Sequence, residues 1–340
     1  MRISIFGLGY VGCVTAACLA RAGHEVIGVD VNAEKVAMLN AGTSPIVEPG
    51  LGDLIREMTA ARRLRATVSV DNAVRRSDVA MICVGTPGGR NGEIDTTAIA
   101  GVGEDIGRAL QRRDEPFTVV LRSTVLPGTT EAVLVPALRS GLGQRFDDII
   151  DVAVNPEFMR EGTSLADFDH PPMTLVGCEN DGTAGLLRNL YSTVDAPFIQ
   201  TRLRVAEMTK YVSNAYHALK VCFANEIGDI CEAFGVNAQE VTRTFLADHK
   251  LNVSEAYLKP GFAFGGSCLP KDLRALTYAA RRADVALPLL SSIVPANDHQ
   301  IRSGIAAVMA HRRKRIGVVG LAFKSGTDDL RESPMVTLIE

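Results

Sequence analysis

The sequence predicts an α/β protein: an N-terminal Rossmann-type parallel sheet domain, an all-helical middle domain with one long helix, and the start of a second Rossmann-like domain. Three observations predict it. Short β-rich runs alternate with helical patterns early in the chain, which argues for parallel strands joined by crossover helices. Arg204 to Phe234 contains no proline and keeps helical periodicity throughout, so it reads as one helix of about 30 residues. Arg315–Phe323 echoes Arg2–Tyr10, each with Arg-Ile, apolar residues, Gly-Leu and an aromatic, so it reads as a fresh strand opening another nucleotide-binding-type domain.

The elements follow in order. Ile3–Phe6 reads as a strand, Val11–Arg21 as a helix, Glu25–Val29 as a strand and Asn32–Ala41 as a helix. Val79–Val84, Phe117–Arg122 and Asp151–Val154 read as further strands. The loops Gly85–Gly89 and Leu126–Gly128 follow two of these, at the strand ends where open α/β sheets bind ligands. Beyond the long helix, Ala238–Ala247, Pro270–Ala283 and Leu290–Ala310 read as helices. The expected domains are therefore 1–198, 199–311 and 312–340. A whole domain needs on the order of 100 residues, so the chain is expected to stop inside the third.

Composition sets bounds. The 340 residues carry 36 Lys and Arg against 39 Asp and Glu, a net charge of −3. With no basic run, neither nucleic acid nor an anionic membrane is expected as a partner. Any anionic substrate must be held by a few placed cations. Five of the seven cysteines (Cys13, Cys18, Cys83, Cys222, Cys231) sit in apolar surroundings and read as packed thiols. No CxxC pair or histidine cluster suggests a metal site, and reduced thiols suggest the cytoplasm. The apolar N-terminus runs straight into a glycine loop, so it reads as a strand and not as a signal peptide. No stretch approaches ~20 uninterrupted apolar residues, so no membrane span is expected.

Gly7-Leu8-Gly9-Tyr10-Val11-Gly12 is a G-x-G-x-x-G that follows a strand and opens a helix. Its glycines permit a tight turn and close approach of a pyrophosphate to the helix N-terminus. Asp30 stands at the end of the second strand, where a carboxylate accepts ribose hydroxyls and repels a 2′-phosphate; this predicts NAD over NADP. Lys35 is either a ribose contact or a surface helix lysine.

Three further segments bear chemistry. Cys268 lies in Gly265-Gly266-Ser267-Cys268-Leu269-Pro270-Lys271-Asp272, just before an expected helix start and close to Lys271. Both features favour thiolate, against a structural cysteine in a glycine turn. Lys210, Asn214 and His217 share a face of the long helix, continued by Asn225; the stripe is either solvated or lines a polar ligand. Asn155-Pro156-Glu157-Phe158-Met159-Arg160-Glu161-Gly162 puts two carboxylates after a strand, one a candidate general base, with a capping acidic loop as the alternative.

Together and in this order, these motifs resemble the UDP-glucose/GDP-mannose dehydrogenase family. The marks are Gly7–Gly12, Val84–Pro87, Ser123–Thr129, Asn155–Gly162, Gly265–Asp272 and Gly320–Ser333, and the resemblance spans essentially the whole chain. His217-Ala218, Lys220, Phe223–Gly228, His249–Asn252 and Lys259–Phe264 point to the branch that acts on GDP-mannose, with a UDP-sugar enzyme or a catalytically impaired, truncated NAD-binding form as the alternatives. Ala256 and Lys259 depart from that branch, which tends to have Tyr at the first and Arg, in some members, at the second. The resemblance implies oxidation of a sugar C6 alcohol to a carboxylate with two NAD reduced, through a thiohemiacetal and thioester on Cys268, feeding mannuronate-type polysaccharide synthesis. It implies catalytic roles for Cys268, Lys210, Asn214, Glu161, Asp272 and Thr124. It implies NAD contacts from Tyr10, Val11, Asp30, Lys35, Thr86, Thr124, Lys271 and Arg331. It implies nucleotide-sugar contacts from Glu161, Lys210, Asn214, His217, Asn225, Tyr257, Phe262, Gly265 and Lys324. A homodimer or higher homo-oligomer is expected from the long helix and from the family.

Overall fold

A computed structural model of the chain describes residues 1–88, 94–253, 262–266, 269–270, 277, 280–281, 284–311, 314–323 and 330–340. It divides into two compact units, Met1–Asn214 and Ala215–Glu340.

The first unit is built on one eight-stranded sheet in the order β3-β2-β1-β4-β5-β6-β7-β8. The strands are β1 (Arg2–Phe6), β2 (Glu25–Val29), β3 (Leu64–Thr67), β4 (Val79–Ile82), β5 (Phe117–Leu121), β6 (Ile150–Val154), β7 (Thr174–Gly177) and β8 (Phe198–Thr201). Strands β1 to β6 are mutually parallel; β7 meets β6 antiparallel and pairs parallel with β8. The order of the first six is that of a doubly wound dinucleotide fold, whose ligand crevice opens at the carboxyl ends.

Every residue of β4 and β5 is buried, as a parallel sheet covered on both faces requires. Alternation sends Ile3, Ile5, Val79, Met81 and Val120 into one apolar cluster with helix Tyr10–Arg21. Phe6, Ala80, Ile82, Val119 and Leu121 enter the other, with helix Thr97–Ala109. The expected strands and the two expected helices of this unit are present within a residue or two. The strands β3, β7 and β8 are additions to that expectation. Both β3 and β8 are four-residue edge strands that are only partly buried, so they carry little apolar signal.

The long helix spans Leu203–Ala233, one residue displaced from its expected bounds. Ala238–Leu246 and Pro288–Met309 are helical as expected, while most of the expected helix 270–283 lies outside the described residues. Residues 314–321 form no strand, which corrects the reading of Arg315–Phe323. A strand exists only beside a neighbour, and no described strand pairs with this segment; Val319 there is 99% exposed. Among the described residues no helix is long and apolar enough to cross a membrane.

Candidate active site

Strand β1 ends at the glycine turn. Gly7 adopts φ +95°, open to glycine at little strain, and a Cβ there would sit 3.0 Å from the Val84 backbone. A Cβ on Gly12 would collide with the Gly7 carbonyl, so helix Tyr10–Arg21 approaches the turn only because that position lacks one. Gly9 has open space where a side chain would be, and as N-cap it offers no side-chain acceptor to the first helical N–H groups. Among the described residues no acceptor takes those groups, which suits an anion.

Asp30, at the end of β2, accepts a hydrogen bond from the Leu8 N–H at 2.7 Å and another from Asn32 N–H at 2.9 Å. Its carboxylate is thereby fixed beside the turn. Lys35 Nζ lies 4.0 Å from it. Tyr10 and Val11, opening the helix, are half-buried. An open glycine cradle, uncapped amides and a fixed carboxylate fit a dinucleotide.

Other predicted residues gather at the same rim. Thr86, after β4, donates its hydroxyl to the Thr124 carbonyl, after β5, at 2.8 Å. The loop beyond Thr124 is gripped by Glu207, a buried carboxylate on the long helix. It accepts from Gly128 N–H at 2.6 Å, Thr130 N–H at 2.9 Å and the Thr130 hydroxyl at 2.6 Å.

One turn along the same helix, Lys210 Nζ forms an ion pair with Glu157 Oε1 at 2.9 Å, the two side chains being 9% and 10% exposed. The ammonium also lies 5.5 Å from the Phe158 ring centroid. Asn214 follows one turn later and is exposed, while the side chains of His217 and Asn225 lie outside the description.

Glu161 is exposed, four residues after Glu157. Its loop is tied by Glu48, a buried carboxylate accepting from the Tyr10 hydroxyl (2.7 Å), Gly162 N–H (2.8 Å), Ser164 N–H (2.8 Å) and the Ser164 hydroxyl (2.7 Å). Burial alone would raise the Glu48 pKa, but these donors outweigh it and hold the carboxyl down at about 2. Burial pushes the Tyr10 phenol up to about 12, so it stays a donor.

In the second unit, the Phe264 N–H and carbonyl both bond the Asn297 side chain at 2.9 Å, fixing the segment 262–266 on helix Pro288–Met309. The Gly266 N–H donates to the Arg331 carbonyl at 3.1 Å, and a Cβ on Gly265 would collide with the Glu332 carbonyl. Gly265 thus lies beside the stretch that carries Arg331. Phe262 is 42% exposed. Cys268, Lys271, Asp272, Tyr257 and Lys324 lie outside the described residues.

Burial raises the pKa of Cys13, Cys18 and Cys83 to about 12, as expected for packing thiols. Cys231 is buried too, as is Cys178, which the sequence reading left out; Cys222 falls among the undescribed side chains. Three participants in this rim escaped the sequence reading. Glu157 was visible as one of two loop carboxylates but not as the Lys210 partner. Glu48 and Glu207 had no local signal, because their acceptor groups serve amides 77 to 116 residues away.

A strand–turn–helix with three glycines and an acid closing the next strand defines a dinucleotide-binding protein. Residues 1–195 match the NAD binding domain of the UDP-glucose/GDP-mannose dehydrogenase family, and residues 204–299 match its central domain. A GDP-mannose 6-dehydrogenase of Pseudomonas putida is 51% identical over 340 residues, covering 100% of this chain and 78% of that protein. A UDP-glucose 6-dehydrogenase of Haloferax volcanii is 38% identical, covering 100% and 80%. The crystal structure of a ternary complex of GDP-mannose dehydrogenase from Pseudomonas aeruginosa superposes with a TM-score of 0.98 at 50% identity, covering 100% of this chain and 78% of that one. The chain belongs to the UDP-glucose/GDP-mannose dehydrogenase family. It is an enzyme, and its cofactor is NAD.

Two outcomes follow from the rim. Replacing Lys210 by Met leaves Glu157 buried without its cation and should destabilise the fold by about 3–5 kcal/mol in urea titrations. The double variant Lys210→Met/Glu157→Gln should recover part of that loss; an additive loss would mean the pair is not coupled. Because Glu48 has its pKa lowered from 4.5 to about 2, its stabilisation is fully present above pH 4.5 and is lost as pH falls toward 2. The stability gap between wild type and Glu48→Gln should therefore be constant from pH 7 to 5 and shrink below about pH 4.

Proposed function

We propose that this enzyme oxidises the C6 alcohol of GDP-mannose to a carboxylate, producing GDP-mannuronate, with two NAD reduced per sugar. The observation that carries this reading is the 51% identity along the whole chain to a protein named GDP-mannose 6-dehydrogenase.

NAD, when bound, takes up the hydride in each of the two oxidations. Gly7, Gly9, Tyr10, Val11, Gly12, Asp30, Lys35, Thr86 and Thr124 are the groups we assign to holding it, with Lys271 and Arg331 from later in the chain. The chain's own residues do the rest. The first oxidation makes an aldehyde, and the Cys268 thiolate adds to its carbon, forming a C–S bond and a tetrahedral oxyanion that takes a proton. The second oxidation of this thiohemiacetal leaves a thioester. Water then attacks, the C–S bond breaks, and the carboxylate leaves with the thiol restored. Covalent capture keeps the aldehyde from escaping between the two steps.

Lys210 and Asn214 are suited to stabilise the oxyanion, since a buried ammonium and an amide one helical turn apart place positive charge and a donor together. Glu161 and Asp272 would handle the proton and position the water, and we assign Thr124 to the nicotinamide end of the cofactor site and to that water. Glu161, Lys210, Asn214, His217, Asn225, Tyr257, Phe262, Gly265 and Lys324 hold the nucleotide sugar. We place the enzyme in the cytoplasm, its product feeding mannuronate-type polysaccharide synthesis.

We assign the chain three parts: a cofactor domain (1–198), a helical middle domain (199–311) and a nucleotide-sugar-binding segment (312–340). The long helix is the dimer element. Val205, Met208, Val212 and Leu219 recur at helical spacing on it, each 46–53% exposed. An apolar stripe of this kind favours a partner.

The test is NADH formed per mole of limiting sugar. GDP-mannose should give two NADH and UDP-glucose none. Cys268→Ser should stop turnover; if that variant still yields two NADH, the thioester route is wrong. Turnover with UDP-glucose alone would move the assignment to a UDP-sugar. Light scattering at micromolar concentration should read at least a dimer, and a monomer would remove the assignment of the stripe.

A further inference from the structure

We propose that Glu48 is a positioning residue that locks the loop carrying Glu161 to the dinucleotide turn through Tyr10. This rests on the reading of Tyr10 as a cofactor contact and Glu161 as a reaction-centre carboxylate.

Glu48 is 8% exposed and forms no ion pair among the described residues. A buried carboxylate without a cation is unfavourable unless donors replace its water. Four do so, and they come from two separate places. One is the hydroxyl of Tyr10, in the first turn of the helix behind the glycine loop. The other three belong to Gly162 and Ser164, immediately beyond Glu161. One carboxylate oxygen, Oε2, is shared between the two places, accepting from both Tyr10 and Gly162. Tyr10 makes a second contact with this loop, to the Arg160 carbonyl at 3.3 Å. Glu161 is therefore flanked on both sides by residues that touch the Tyr10–Glu48 pair.

The far side of the loop is closed as well. Asp167 accepts from the Arg160 N–H at 2.8 Å, from the Arg160 guanidinium at 2.7 and 3.1 Å, and from the Thr163 hydroxyl at 3.0 Å. Gly162 turns the chain with φ +88° directly after Glu161. Glu161 projects from this frame exposed, with no hydrogen-bond partner among the described residues. Helix capping alone would not need Tyr10. The helix that starts here, Ser164–Asp169, has no cap from its own N-cap Thr163, and Glu48 serves its first amide, that of Ser164, from more than 100 residues away. A local Ser or Asp would cap it equally well. What a distant carboxylate adds is the connection to the dinucleotide turn.

Two variants and two readouts test this. Tyr10→Phe removes one hydroxyl and leaves intact the bonds that Glu48 accepts from Gly162 and Ser164. Glu48→Gln keeps the size but supplies one acceptor oxygen in place of two. Misplacement of a reacting group by about 1 Å costs on the order of 100-fold, so Glu48→Gln should lower kcat by roughly 10- to 100-fold and raise the KM for NAD. Tyr10→Phe should show a smaller change of the same kind, and the double variant should be no worse than Glu48→Gln alone. Additive losses, or a lowered Tm with kcat and KM unchanged, would overturn the proposal in favour of a structural cap.

The second readout needs no turnover. Adding NAD should slow amide exchange of the segment 160–164 in the wild type, and this slowing should vanish in Tyr10→Phe. Equal slowing in both proteins, or none in the wild type, would also overturn it. If exchange behaves as expected while GDP-mannose yields no NADH, the substrate reading fails and the Glu48 link stands.

Discussion

The ligand rim of this sheet is made of loops whose backbone N–H groups have no strand or helix partner, and carboxylates that are buried or half-buried take those groups. Asp30 takes the amide of Leu8 in the glycine turn. Glu207 takes those of Gly128 and Thr130 after β5. Glu48 takes those of Gly162 and Ser164 after β6. The second unit repeats the device, with Glu226 of the long helix accepting from Leu289 and Leu290 at the uncapped start of helix Pro288–Met309. A buried amide left unpaired costs about 1–3 kcal/mol, and a charged acceptor gives the stronger bond. The rim keeps its shape because each such amide has a fixed destination.

The same logic explains why charge can be held there. Lys210 and Glu157 are nearly buried, a state that taking two ions out of water opposes and that close pairing offsets. Arg122 is 5% exposed with no carboxylate partner among the described residues; it bonds Thr15, the Asn155 side chain and Tyr191, which form a neutral cage behind the rim. A site of this kind presents preset dipoles and charges to whatever binds, with little reorganisation left to perform.

Much of the architecture was legible because it follows short-range rules. The strands β1, β2, β4, β5 and β6 are apolar runs, and the glycine turn has a spacing that serves one geometry. The long helix shows its period over its whole length. The edge strands β3 and β8 were not legible, since each is four residues long and half-covered. Nor was the behaviour of residues 314–321, where a strand-like sequence has no described neighbour to pair with. In the site, the glycines, Asp30, Lys210 and the Glu157–Glu161 loop could be picked out by residue type and spacing. The contacts of Thr86 with the Thr124 backbone could not, because 38 residues separate them.

By itself the sequence determined the fold class, the dinucleotide turn and the helix that carries Lys210 and Asn214, because periodicity, glycine placement and strand composition act within a few residues. Only the tertiary structure decided which carboxylate serves which amide, that Lys210 pairs with Glu157, and that Tyr10 reaches the Glu161 loop through Glu48. Those choices depend on distances closed by the folded sheet between residues 22 to 150 positions apart, and no local pattern in a single chain encodes such a distance.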